Sequence, residues 1–95
     1  MKPLRATESE QPEIFATVRR ELPAIHRAVL KMAKPMRGLS DVSQKMAIAQ
    51  MTAAWIKAYY PDNLELQLSL ADAIRDQIDI DLKAAARLEG RQQQH

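Results

Sequence analysis

The feature that most constrains this chain is a seven-residue apolar repeat in its first third. Apolar residues recur there at alternating steps of four and three, at Val18, Leu22, Ile25, Val29 and Met32. At about 100° per residue these side chains fall on one line of an α-helix, within roughly 40° of its first member. We name this line the apolar seam. It predicts a helix with one face buried against another element.

Basic residues follow the opposite face of the same predicted helix. We name these six the basic stripe: Arg20, Arg27, Lys31 and Lys34, with Arg19 and Arg37 on the flank. The first four project at about 160–220° from the start of the seam and span about 20 Å of helix. Such a row predicts contact with an anionic partner, which is either an acidic protein or a phosphate backbone. A solvated face without a partner is the alternative.

The composition is that of a helical protein. The 95 residues are 46% hydrophobic and include only two glycines, and Ala, Leu, Ile and Met are common among them. A chain of this length is large enough for one core. We predict an all-α fold, a small antiparallel bundle of three to four helices over residues 12–89. Flexible polar segments at 1–11 and 90–95 are expected to flank this single domain.

Prolines define the predicted first helix. It is expected from near Pro12 to about Ala33, because Pro12 suits a first turn and Pro35 disfavours helical geometry at the residue before it. Pro23 lies in the middle, where a proline removes one backbone hydrogen bond and clashes with the preceding turn. We therefore predict a first helix kinked at Pro23, or two short helices nearly in line.

The second helix is predicted over residues 41–60, before Pro61. Ser40 or Asp41 is its expected N-cap, and Gln44 would complete a capping-box-like pair with Asp41. The sequence of this helix is apolar nearly all round. Such a helix is usually the most enclosed one of a bundle.

The segment 63–70 fits either a strand or a helix. Its four leucines alternate with polar residues, which favours a strand, but a lone strand has no partner in a helical chain. Leu, Glu and Gln are good helix formers, and Asp62 with Glu65 can cap a helix start. We predict a helix, with a break near Ser69 as an alternative, and expect the last helix to stop at Gly90.

Four methionines have the spacing of either a core or an adaptable groove. They are Met32, Met36, Met46 and Met51. Thioether side chains adapt to irregular partners, which suits a groove. In a chain with only four aromatic residues, we predict that these methionines fill the core.

Residue types that perform catalysis or bind metals are sparse. The chain has no cysteine, and its two histidines, His26 and His95, are far apart in sequence. No cluster therefore has the spacing of a metal site. There is no Gly-rich phosphate loop, and no Ser or Thr has an evident His partner. We predict a protein that is not an enzyme and needs no cofactor.

No segment has the pattern of a membrane-directed sequence. The first 13 residues contain two basic residues but lack the apolar centre of a secretory signal. No uncharged apolar run approaches the ~20 residues of a membrane-spanning helix. We expect no membrane contact and a cytoplasmic location.

The charge distribution indicates where a partner would bind. Residues 1–39 contain eight Lys or Arg against four Glu, whereas the net charge of the whole chain is only +2. We predict a non-catalytic adaptor, modulator or inhibitor that binds a larger protein or a protein–nucleic-acid complex through the basic stripe. One alternative is a regulatory protein that binds nucleic acid directly. Another is a structural homo-oligomer, such as a homodimer, in which the first or last helix pairs with its copy.

Overall fold

Three α-helices make up most of the described chain, which in this computed structural model is residues 9–93. They are α1 (Pro12–Ala33), α2 (Asp41–Tyr59) and α3 (Leu64–Gln93). A 3-10 helix, Lys34–Gly38, connects α1 to α2, and residues 9–93 contain no strand. The all-α prediction and the number of helices are confirmed. Of the flexible ends predicted at 1–11 and 90–95, residues 1–8 and 94–95 lie outside the described residues.

The chain divides into two compact units between Trp55 and Ile56. The first unit contains α1, the connecting 3-10 helix and most of α2. The second contains the end of α2 and all of α3. The single domain expected over 12–89 stays a prediction.

In the first unit, α1 is one continuous helix of 22 residues. It begins at Pro12, whose missing N–H has no cost there because first-turn N–H groups have no acceptor within the helix. Glu13 follows in the first turn, where a negative charge suits the helix dipole. Pro23 lies inside α1 and does not end it. The form with two short helices is therefore wrong, and the kink at Pro23 stays a prediction.

Ser40 is the N-cap of α2. Its Oγ accepts a hydrogen bond from the backbone N–H of Ser43 at 3.4 Å, and its carbonyl accepts one from the N–H of Gln44 at 2.8 Å. This arrangement confirms Ser40 among the two predicted caps. The expected pairing of Asp41 with Gln44 is wrong, because the Gln44 side chain bonds elsewhere.

The side chain of Gln44 closes the connection between α1 and α2. Its Nε2 donates to the carbonyl oxygen of Met36 at 3.1 Å and to that of Leu39 at 3.0 Å. These carbonyls lie in and just after the 3-10 helix, and that of Met36 also accepts from the backbone N–H of Leu39 at 3.0 Å. One amide group thus connects the first turn of α2 to the segment that precedes it.

In the second unit, α3 begins after the N-cap Asn63. The Oδ1 of Asn63 accepts from the N–H of Leu66 at 3.0 Å, and its carbonyl accepts from the N–H of Gln67 at 3.0 Å. The helix predicted for 63–70 is confirmed. The cap predicted at Asp62 is wrong by one residue, because Asn63 is the residue whose side chain reaches the N–H three positions later.

The interior and the end of α3 also differ from expectation. The helix is unbroken over Ser69, so the alternative with a break there is wrong. It also continues through Gly90 to Gln93, and no described glycine has a positive φ. The predicted stop at Gly90 is therefore wrong. The residues that follow Gly90 are good helix formers, and they continue the α-helical conformation.

Few side chains are buried in the single chain. Among the described residues only Ile56 and Leu70, both in the second unit, are buried, with 6% and 8% of their surface exposed. In α2, Met46, Met51 and Trp55 are each 51–53% exposed. The prediction that α2 is the most enclosed helix is wrong, because an apolar composition does not itself supply a neighbour to pack against.

We expect Asn63→Ala to lower the free energy of unfolding by about 1 kcal/mol, because the N–H of Leu66 would lose its acceptor. Asp62→Ala is the matched control and should change it by less than about 0.5 kcal/mol. Urea denaturation followed by far-UV circular dichroism measures both values. Equal losses in the two variants would contradict the cap at Asn63.

We expect Gly90→Ala to increase helicity and to stabilise α3 by up to about 1 kcal/mol, because alanine is the better helix former. A Cβ at this position meets no heavy atom within 4 Å. Far-UV circular dichroism and thermal denaturation measure the effect. A loss of helicity would instead indicate a positive φ at Gly90, as in a helix that stops there.

Candidate functional site

The apolar seam lies on α1 as predicted, but it is not buried. The exposed fractions of its five residues run from 37% at Ile25 to 51% at Val29. The expectation that this face is covered within the chain is wrong for the single molecule, since α1 has no buried residue. The seam is therefore an apolar surface that a further molecule can reach.

An apolar groove opens at the C-terminal end of the seam. It has a volume of about 480 Å³ and lies within the first unit. Val29 and Met32 line it from α1, Met36 from the 3-10 helix, and Ile48 and Met51 from α2. Its volume is within the range of about 300–1,000 Å³ that is typical of sites for apolar ligands.

Sequence reasoning considered a methionine-lined groove as an alternative but assigned these methionines to the core. That assignment is wrong for Met32, Met36 and Met51, which line an open surface. One feature of the sequence did point to this surface, because Pro35 lies between Met32 and Met36 and ends the helix there. A chain reversal after Pro35 brings the start of α2 back beside the end of α1. Ile48 and Leu39 also line the groove. No pattern in the sequence predicted their place in it.

The basic stripe is exposed along its whole length. Four of its residues lie on α1, whereas Lys34 and Arg37 lie in the connecting 3-10 helix. Arg37, which was expected on the flank of the row, thus lies outside α1. Lys34 still has a right-handed helical conformation (φ −58°, ψ −51°), so it extends the row of α1 by one position.

Hydrogen bonds hold one residue of the stripe over the preceding turn. The Nη2 of Arg20 donates to the Oγ1 of Thr17 at 3.2 Å, and that hydroxyl donates to the carbonyl of Glu13 at 2.9 Å. The guanidinium therefore leans toward the N-terminus of α1. Arginine has five N–H donors, and this contact uses only part of that capacity.

The functional features of the described residues are exposed surfaces that can contact another molecule. Across residues 9–93, no group of three or more His, Asp or Glu side chains comes together as a metal site would need. The part of the chain that the structure describes has no helix with the length and hydropathy needed to cross a bilayer. What stands out on α1 is an apolar seam on one face and a basic stripe on the other.

Comparison of the chain with protein-family models, with curated proteins and with solved structures gives no match.

We expect the groove to bind an apolar fluorescent dye such as anilinonaphthalene sulfonate, because its methionine and aliphatic lining is open to solvent. Met51→Asp should lower the dye fluorescence at least about twofold by placing a charge in the groove. Val42→Asp is the control on the same helix, since Val42 is 73% exposed and lies outside the lining. Equal fluorescence from the two variants would show that the dye binds elsewhere.

Proposed function

We propose that this chain is a small non-catalytic adaptor that binds an acidic surface of a larger protein through the basic stripe. The observation that supports this function is the exposure of all six stripe side chains along α1 and the connecting 3-10 helix. The α-helical part from Arg20 to Lys34 spans about 21 Å at ~1.5 Å per residue. The cytoplasmic location stays a prediction from the sequence.

The local charge supports an acidic partner. The segment from Pro12 to Gly38 has six Lys or Arg against two Glu, a local excess of four positive charges. A row of this kind attracts an acidic surface and aligns it before contact. The oppositely charged partner is therefore expected to bind faster at low salt than at high salt.

The strength of the contact follows from the exposure of these cations. An exposed ion pair contributes about 0–1 kcal/mol, so six of them would stabilise a complex by a few kcal/mol at most. This corresponds to dissociation constants of about a millimolar or weaker. A reversible, salt-sensitive contact of this kind suits a modulator better than a permanent subunit.

Direct binding of nucleic acid by the same stripe is the second candidate. A row of four cations along one rod also fits successive phosphates of a nucleic acid strand. If four to six phosphates were neutralised, log K would fall with log salt with a slope of about −4 to −5 on a duplex. The size of this slope separates phosphate binding from a contact with an acidic protein.

We expect the double variant Arg27→Glu, Lys31→Glu to bind poly-L-glutamate at least about tenfold more weakly than the wild type at low salt. Fluorescence anisotropy measures the affinity, and the same assay with a labelled DNA duplex and single strand tests the second candidate. Lys83→Glu with Arg87→Glu is the matched control, because both residues are exposed on α3 and the charge change is equal.

The outcomes of this experiment separate the two candidates. Stronger binding to nucleic acid than to polyglutamate, lost in the stripe variant, would replace the first candidate with the second. Equal weakening by the α3 control would show that net charge alone is responsible. Absence of binding to every probe at low salt would contradict both.

A further inference from the structure

We propose that two copies of this chain pair through the apolar seam together with the groove at its C-terminal end, which leaves both basic stripes facing outward. This pairing uses the face of α1 opposite the stripe. It is therefore independent of the proposed adaptor function.

The spacing of the seam matches a second copy of itself. Phe15 lies three residues before Val18 and Met36 lies four after Met32, so the 4–3 spacing runs from Phe15 to Met36. A helix with a seven-residue repeat packs side by side with another that has the same repeat. A second α1 provides that repeat over its full length.

Pro23 does not interrupt this surface. In the structure α1 is continuous over Pro23, and this residue projects about 140° away from the start of the seam. A ring on the far side of the helix does not enter the contact between two seams. The helix therefore carries the seam on both sides of Pro23.

The charges around the seam permit two copies to approach. The stripe residues of α1 project at about 160–220°, so pairing through the seam keeps the two stripes apart. On the flanks of the seam, Glu21 projects at about −60° and Arg19 at about +100°. One flank is thus acidic and the other basic, so a parallel pair places the acidic flank of each copy beside the basic flank of the other.

The available area shows why the groove belongs to the contact. A strip about 100° wide on a rod about 12 Å across and 33 Å long covers ~350 Å² per copy, or ~700 Å² for a pair. This is below the ~1,000 Å² expected of a specific interface. The groove adds Ile48 and Met51, which are 48% and 51% exposed. Their addition brings the pair close to ~1,000 Å², the lower end of a specific interface, which indicates a weak and reversible dimer.

Molar mass as a function of concentration tests the pairing. By light scattering or sedimentation equilibrium we expect 10.8 kDa on dilution and twice that mass toward about 0.5 mM, as mass action requires. Ile25→Asp should stay at 10.8 kDa with its helical circular dichroism retained. Leu30→Asp is the matched control and should dimerise like the wild type, since Leu30 is 69% exposed and projects about 120° from the seam. A wild type that stays at 10.8 kDa throughout overturns the proposal.

A cysteine experiment keeps the proposal testable even if Ile25→Asp fails to fold. The natural chain has no cysteine, so a single introduced thiol can link only to its copy. Under mild oxidation, Leu22→Cys or Ile25→Cys should form covalent dimers at least about tenfold faster than Leu30→Cys, because a disulfide needs Cα atoms within ~7 Å. Equal rates at the three positions would show that the seams do not face each other, and would assign the seam to a different partner.

Discussion

An amphipathic helix gains most of its stability from removing its apolar face from water, and this interaction governs the first unit of the molecule. The seam residues of α1 keep 37–51% of their surface exposed in the single chain. Covering the remainder is worth about 1 kcal/mol for each side chain, whereas an exposed ion pair of the stripe contributes about 0–1 kcal/mol. The apolar face therefore sets how strongly α1 associates, and the basic face determines the charge of the surface that it meets.

In both connections between helices, a glutamine side chain donates hydrogen bonds to backbone carbonyls. Gln44 in the first turn of α2 donates to the carbonyls of Met36 and Leu39. Gln67, near the start of α3, donates in the same way to the carbonyl of Tyr60 at 2.6 Å. In both places a side-chain amide donates to backbone carbonyls of the segment between two helices. Hydrogen bonds between residues close in sequence thus stabilise each connection, and they do not require a large core.

Features that depend on local chemistry could be predicted from the sequence, and features that depend on packing could not. Helix starts near Pro12 and Ser40 follow from proline geometry and capping, which act over a few residues. The stop expected at Gly90 was wrong because glycine permits a left-handed turn without requiring one. The basic stripe was readable from helical periodicity. The groove was only an alternative to a methionine core, since it forms only when the 3-10 helix after α1 turns the chain back. The exposure of α2 was not predicted, since it depends on what packs against that helix.

The methionines of the groove have a chemical consequence of their own. Met32 and Met51 are 48% and 51% exposed, so oxidants in solution can reach their sulfur atoms. Oxidation converts a flexible apolar thioether into a polar sulfoxide, which enzymes can reduce again. The hydrophobic character of this surface therefore depends on the oxidation state of its methionines, and a chain with no thiol still has a redox-sensitive face.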